Sequence, residues 1–117
     1  MALIPMAAFA AVSYGNSDGT ARMSVTKWGN NYALVKGTQR AYGMRKVYTQ
    51  GQARNVMGSE SWKRVSPNTV SLRNQSRSFT VINTNYTFTK IRGVSLRLCT
   101  DVPFWFDPCG KPVTINR

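Results

Sequence analysis

Strict alternation of apolar and polar residues is the strongest pattern in the first half of the chain. Apolar side chains at 21, 23 and 25 alternate with polar ones at 22, 24 and 26, which predicts a half-buried β-strand. A cluster of turn-forming residues at 14–19 precedes this strand, and Gly29-Asn30-Asn31 follows it. Residues 32–35 then predict the return strand of a hairpin, ending at Gly37.

Residues 39–50 fit either of two patterns. As a strand, they place positions 40, 42, 44, 46 and 48 on one face and positions 41, 43, 45, 47 and 49 on the other. A helix is disfavoured because Gly43, Val47 and Thr49 are poor helix formers. We therefore interpret this segment as a strand, followed at 52–63 by a loop with at most one helical turn.

The second half predicts five strands, at 69–73, 78–82, 86–92, 94–100 and 113–116. Asn83-Thr84-Asn85 has the length of a tight hairpin connection, and Gly93 predicts a bulge or a turn between two strands. The expected fold is all-β, or mostly β with at most one short helix, forming a small antiparallel sheet, barrel or sandwich. We expect a single β-rich domain over 1–117, with 1–13 as an apolar N-terminal strand or arm and no transmembrane segment.

The net charge of +12 is the compositional feature that most changes this picture. The chain has ten Arg and six Lys but only four acidic residues, and the basic residues are spread from Arg22 to Arg117 instead of forming a tail. A surface of this kind repels itself unless a polyanion binds it. Nucleic acid is therefore the first partner to consider, with RNA favoured over DNA.

Several catalytic chemistries are disfavoured by composition. The chain has no His, so it lacks the commonest general base and metal ligand. Its acids Asp18, Glu60, Asp101 and Asp107 are scattered singly, and we expect no metal site and no cofactor. We favour a binding protein over an enzyme. The enzymatic alternative is a metal-independent ribonuclease that uses Glu60 near Lys63 and Arg64.

Aromatic residues interleave with bases along the predicted strands, as in proteins that stack unpaired bases while cations hold phosphates. The alternative is that the rings belong to the core and the bases extend to solvent. The candidate nucleic-acid-binding residues are Arg40, Tyr42, Arg45, Lys46, Tyr48, Arg73, Arg77, Tyr86, Lys90, Arg92 and Arg97.

Cys99 and Cys109 flank an apolar loop that contains Phe104-Trp105-Phe106. A disulfide between them would add on the order of 2–3 kcal/mol; the alternative is two buried thiols. The aromatic triplet is interpreted as a plug over one end of the core. The other readings are insertion into a partner subunit, a membrane surface or a base stack.

The leading hypothesis is a structural nucleic-acid-binding protein that self-assembles, such as a viral or phage coat or packaging subunit, located in the virion or the cytoplasm. It predicts a homo-oligomer that neutralises phosphates. One alternative is a secreted ribonuclease toxin domain. Another is a secreted, disulfide-bonded protein that binds polyanions or surfaces.

Overall fold

The computed structural model describes residues 11–70, 74–84 and 89–117, and this part of the chain is built from β-strands with no helix. The predicted all-β class is confirmed. No helix that could span a bilayer occurs among these residues. The strands are β1 (Val12–Asn16), β2 (Gly19–Trp28), β3 (Tyr32–Ala41), β4 (Val47–Asn55), β5 (Gly58–Ser59), β6 (Lys63–Arg64), β7 (Gln75–Ile82), β8 (Gly93–Thr100) and β9 (Val113–Asn116).

Two antiparallel sheets pack face to face as a sandwich. The first sheet has the strand order β1-β2-β3-β7, and the second has the order β5-β4-β8-β9, with β6 also pairing with β4. Gly110 lies against Gly15 so closely that a Cβ on Gly110 would be 1.8 Å from the Gly15 carbonyl oxygen. This backbone contact closes the sandwich where β1 meets the segment after β8.

The core lies between the inward faces of the two sheets. Met23, Val35 and Ala33 of the first sheet and Leu96 and Leu98 of the second are all fully buried. Alternate residues of the same strands point outward, as the period-two pattern at 21–26 predicts. The side-chain period of two therefore decides which polar residues the molecule presents to solvent.

A polar network crosses this core and ties the 65–69 segment to both sheets. The Gln39 side chain donates from Nε2 to Thr69 Oγ1 at 2.9 Å and accepts from Thr49 Oγ1 at 2.6 Å. Thr49 Oγ1 is in turn 2.8 Å from the Tyr14 hydroxyl, and the Thr49 amide donates to Ser66 Oγ at 2.8 Å. Because buried polar groups cost free energy unless they are paired, this network restricts the sheets to one register.

The single strand expected over 39–50 is wrong. β3 ends at Ala41, residues 42–46 form a loop, and β4 begins at Val47. The first hairpin is longer than predicted, because β3 continues past Gly37. A Cβ on Gly37 would lie 1.9 Å from the Arg22 carbonyl oxygen, so glycine permits a close cross-strand approach there and does not end the strand.

Other boundaries also differ from the sequence expectations. The 52–63 segment, expected to be a loop with at most one helical turn, contains the end of β4 and all of β5. Residues 89–92 are not a strand, and 85–88 lie outside the described residues. Gly93 is the first residue of β8, paired with Arg54 and Asn116, and is neither a turn nor a bulge. Of the strand expected at 69–73, Thr69 forms an isolated bridge with Val47, and 71–73 are not described.

The N-terminal arm expected at 1–13 is described only from residue 11 onward. Val12 and Ser13 belong to β1, where Val12 pairs with Met23. The remainder of the arm lies outside the described residues, and the single-domain assignment over 1–117 stays a prediction.

The fully buried Met23 offers a direct test of the core. Replacing it with alanine leaves a cavity between the sheets, so Met23→Ala is expected to lower the free energy of unfolding by about 2–5 kcal/mol. Met57 is the matched control, because it is 75% exposed and its alanine variant should change stability by less than about 0.5 kcal/mol. Urea denaturation of both variants measures the difference, and equal losses would contradict the assigned core.

Candidate nucleic-acid interface

The structure distributes the predicted binding residues over several regions instead of joining them in one face. Arg40 and Arg77 are in the first sheet, and Tyr48 and Arg97 are in the second. The remaining described candidates lie outside the sheets, in the 42–46 loop (Tyr42, Arg45, Lys46) and before β8 (Lys90, Arg92). Arg73 and Tyr86 lie outside the described residues.

The outer face of the second sheet carries two arginine–aromatic pairs. The guanidinium carbon of Arg64 lies 4.2 Å from the centre of the Tyr48 ring, and that of Arg97 lies 4.3 Å from the centre of a Trp62 ring. Arg97 also donates from Nε to Gln50 Oε1 at 2.9 Å. Each of the two rings therefore stacks with an arginine of the protein itself.

A carboxylate fixes the Tyr48 end of this face. The Tyr48 hydroxyl donates a short hydrogen bond to Asp107 Oδ2, and the Val102 amide donates to Asp107 Oδ1 at 2.9 Å. Burial and the adjacent Asp107 raise the pKa of Tyr48 to about 12, while the same hydrogen bond lowers the pKa of Asp107. At neutral pH Tyr48 is thus a proton donor and Asp107 an anion, so this end of the face is not purely cationic.

The outer face of the first sheet is more uniformly basic. Its register places each cation directly across from a hydroxyl: Arg22 opposite Thr38 and Ser13, Lys36 opposite Ser24 and Ser78, and Arg40 opposite Thr20. We call this set of three cations and five hydroxyl residues the basic face. Because Arg22 lies diagonally between Lys36 and Arg40, its Cβ is roughly 7–8 Å from each of theirs.

No carboxylate belongs to the basic face as the structure describes it. Asp18 accepts from Thr100 Oγ1 at 2.6 Å, and Asp101 accepts from Asn68 Nδ2 at 2.9 Å. Asp107 is on the second sheet's side, as described above. Two like charges at 7 Å in water repel by only about 0.6 kcal/mol before screening, so the fold tolerates the cluster while a bound anion would interact with all three cations.

Sequence reasoning missed most of the basic face. Arg40 was a candidate, but Arg22 and Lys36 were not, although position 22 was already recognised as polar in an alternating strand. The sequence signal that could have found them is the set of outward-facing polar positions in the alternating pattern, compared between the two paired strands β2 and β3. The two arginine–aromatic pairs were also missed. Trp62 is distant in sequence from Arg97, and Arg64 is brought to Tyr48 only by the pairing of β4 with β6.

Of the two alternatives for Cys99 and Cys109, the structure has the disulfide. The aromatic triplet it encloses is not a plug over the core, because Phe104, Trp105 and Phe106 are 103%, 79% and 98% exposed. Among the residues the structure describes, no group of three potential metal ligands occurs.

Comparisons of the chain with protein-family models, with curated proteins and with solved structures find no match.

The Tyr48–Asp107 pair predicts a specific alkaline titration. Tyr48 should ionise near pH 12, and Asp107→Asn should lower its midpoint toward the ordinary value of about 10, because a neighbouring anion disfavours tyrosinate. The stabilisation linked to the raised pKa is fully present below about pH 10 and is lost as the pH rises through about 12. Tyrosinate absorbance measures the midpoint, and Tyr48→Phe identifies which transition belongs to Tyr48. An unchanged midpoint in Asp107→Asn would show that the carboxylate does not act on this tyrosine.

Proposed function

We propose that the protein binds nucleic acid as a structural subunit, using the basic face to neutralise the phosphates of RNA in preference to DNA. The observation that carries this proposal is the diagonal cluster of Arg22, Lys36 and Arg40 on a face without a carboxylate among the described residues. Arginine and lysine supply charge, and serine and threonine hydroxyls donate hydrogen bonds to phosphate oxygens. This combination suits the sugar–phosphate backbone and carries no base readout.

The state of Arg40 supports the same proposal. Its Nε is shielded from solvent and has no acceptor among the described residues. Buried hydrogen-bond donors are normally paired with an acceptor. An oxygen atom from a bound ligand would therefore satisfy a donor that the protein leaves unpaired. A phosphate oxygen bound at the basic face would provide one, given a small side-chain adjustment.

Self-association is the second part of the proposal. β7 is the last strand of the first sheet, eight residues long, and within the described structure its outer edge has no strand partner. An edge of this length can pair with the same edge of a second copy, and the resulting dimer would place two basic faces along one nucleic acid. Assembly also concentrates cations, which favours co-assembly with a polyanion.

The interface predicts a strong and residue-specific salt dependence. Raising the salt concentration from about 50 to 200 mM should weaken binding of labelled single-stranded RNA by orders of magnitude. The double variant Arg22→Ala, Lys36→Ala should reduce the slope of log affinity against log salt by about one per substitution. Fluorescence anisotropy measures both quantities, with a single-stranded DNA of the same sequence as the comparison for RNA preference.

Lys90→Ala, Arg92→Ala is the matched control, because it removes the same charge from an exposed segment outside both sheets. The basic face predicts a smaller effect for this pair, whereas the sequence analysis placed both residues in the interface. Equal losses in the two double variants would assign binding to overall charge instead of the basic face. Binding that is indifferent to salt would refute phosphate neutralisation altogether.

Edge pairing predicts an assembly larger than the 13.1 kDa chain. Thr80→Lys, Ile82→Lys changes two exposed β7 residues outside the basic face and adds repulsion between paired edges. Light scattering should show the natural chain as an oligomer and this variant as a smaller species. A monomeric natural chain, with or without RNA, would remove self-association from the proposal.

The ribonuclease alternative keeps one structural argument. The Glu60 carboxylate accepts hydrogen bonds from the Thr84 amide at 3.1 Å and from Thr84 Oγ1 at 2.8 Å. Glu60 also lines a pocket together with Lys63 and Arg64. This alternative requires RNA cleavage in chelator-containing buffer that Glu60→Gln abolishes. Intact RNA after prolonged incubation would dismiss it and leave binding as the activity. The disulfide is compatible with the secreted polyanion-binding alternative.

A further inference from the structure

The end of the sandwich at which β3 leaves and β4 begins exposes an unusual amount of apolar surface. The Cys99–Cys109 loop carries Phe104, Trp105 and Phe106, which are 103%, 79% and 98% exposed. In the neighbouring 42–46 loop, Met44 is 98% exposed and Tyr42 is 52% exposed. We call these five residues the apolar tip. Large apolar side chains that cluster on a surface mark an interaction site.

The two loops of the tip are held side by side by the backbone. The Asp101 amide donates to the Lys46 carbonyl oxygen at 2.9 Å, and Met44 and Arg45 line one pocket together with Val102. The disulfide and the Asp107 contact with the Val102 amide fix the base of the aromatic loop. The apolar side chains are therefore presented from an anchored base.

Backbone geometry at the tip is also unusual. Phe104 has φ of 65°, in the left-handed region that a bulky residue rarely adopts, and it is the only non-glycine residue with positive φ in the described part of the chain. Such conformations cost of order 1–3 kcal/mol and concentrate at functional sites. Here the conformation accompanies a ring that makes contact with solvent instead of with the core.

Exposed cations lie beside the apolar tip, and the two carboxylates of its aromatic loop, Asp101 and Asp107, accept hydrogen bonds from other groups of the protein. Arg45 and Lys46 are exposed in the same loop as Met44, and Lys111 is exposed shortly after the disulfide. Phe and Trp side chains flanked by Arg and Lys are the combination that partitions into the headgroup region of an anionic bilayer, where rings enter the boundary and cations bind lipid headgroups. Three consecutive exposed rings on one short loop do not form the extended groove that successive stacked bases require.

We propose that the apolar tip docks the protein on anionic lipid surfaces, with Phe104, Trp105 and Phe106 inserted at the headgroup boundary and Arg45 and Lys46 contacting the lipid charges. This site is separate from the basic face and does not depend on nucleic-acid binding. In this mode the protein lies on the bilayer surface, and only the loops of the apolar tip enter the headgroup region.

The test follows Trp105 alone. Trp28→Phe and Trp62→Phe keep an aromatic ring beside Arg117 and Arg97 and leave Trp105 as the sole tryptophan of the three in the chain. With vesicles of phosphatidylcholine plus phosphatidylserine, Trp105 emission should shift to shorter wavelength and be quenched by lipids brominated in their acyl chains. Vesicles of phosphatidylcholine alone should give a much weaker response, because two cations near an anionic surface contribute roughly thirtyfold to partitioning.

Variants in the otherwise natural chain separate insertion from simple charge attraction. Replacing Phe104, Trp105 and Phe106 by Ser should weaken co-sedimentation with the anionic vesicles by at least about tenfold, at a salt concentration that screens distant charges. The matched control is Val56→Ser, Met57→Ser, which removes apolar side chains that are 65% and 75% exposed at the opposite end of β4. This control should bind vesicles as the natural chain does.

Three results would overturn the proposal. Vesicle binding without a change in Trp105 emission would show that the tip is not inserted. A dimer in the absence of lipid that the triple serine variant dissociates would assign the tip to a second copy of the chain. A Trp105 response to RNA but not to vesicles would assign it to base stacking. Since Arg22→Ala, Lys36→Ala leaves the tip intact, failure of lipid docking and failure of RNA binding are distinguishable.

Discussion

Burial of the two facing sheet surfaces is the constraint on which the rest of the molecule depends. Met23, Val35, Leu96 and Leu98 are fully buried between the sheets, and strand geometry then forces every second residue outward. A slip of one residue would exchange Met23 for Arg22 in the core. The Gln39 network opposes such a slip, because any other register would leave its buried amide and hydroxyl groups unpaired.

The positions of the cations follow from that register. Arg22 comes from β2, while Lys36 and Arg40 come from β3, and only the pairing of Arg22 with Thr38 brings the three together. Each repulsion is small in water, so the cluster costs the fold little. Its consequence is a local concentration of positive potential on a surface whose intervening residues are uncharged hydroxyls.

The elements that sequence reasoning predicted are those in which local pattern and burial agree. The β2 alternation and the 94–100 and 113–116 segments are strands as expected. The failures are positions where a distant neighbour decides. Gly37 remains within β3 because Arg22 approaches it from another strand, and 42–46 becomes a loop although its alternation resembles a strand. No local pattern shows that Trp62 will stack with Arg97, or that the aromatic triplet will be exposed to solvent instead of covering the core.

The same non-local logic separates the two proposed surfaces. The basic face is formed by side chains in regular strands, whose positions the core fixes. The apolar tip is formed by loops, whose side chains have no core to pack against and are positioned by a disulfide and a few backbone hydrogen bonds. Burial of apolar surface is favourable by roughly 25 cal/mol per Å². Because folding leaves these rings exposed, their burial against another surface would be favourable. A rigid loop also loses less conformational entropy when it binds than a flexible one would. The core therefore fixes the basic face by register, while the disulfide and a few backbone hydrogen bonds fix the base of the apolar tip.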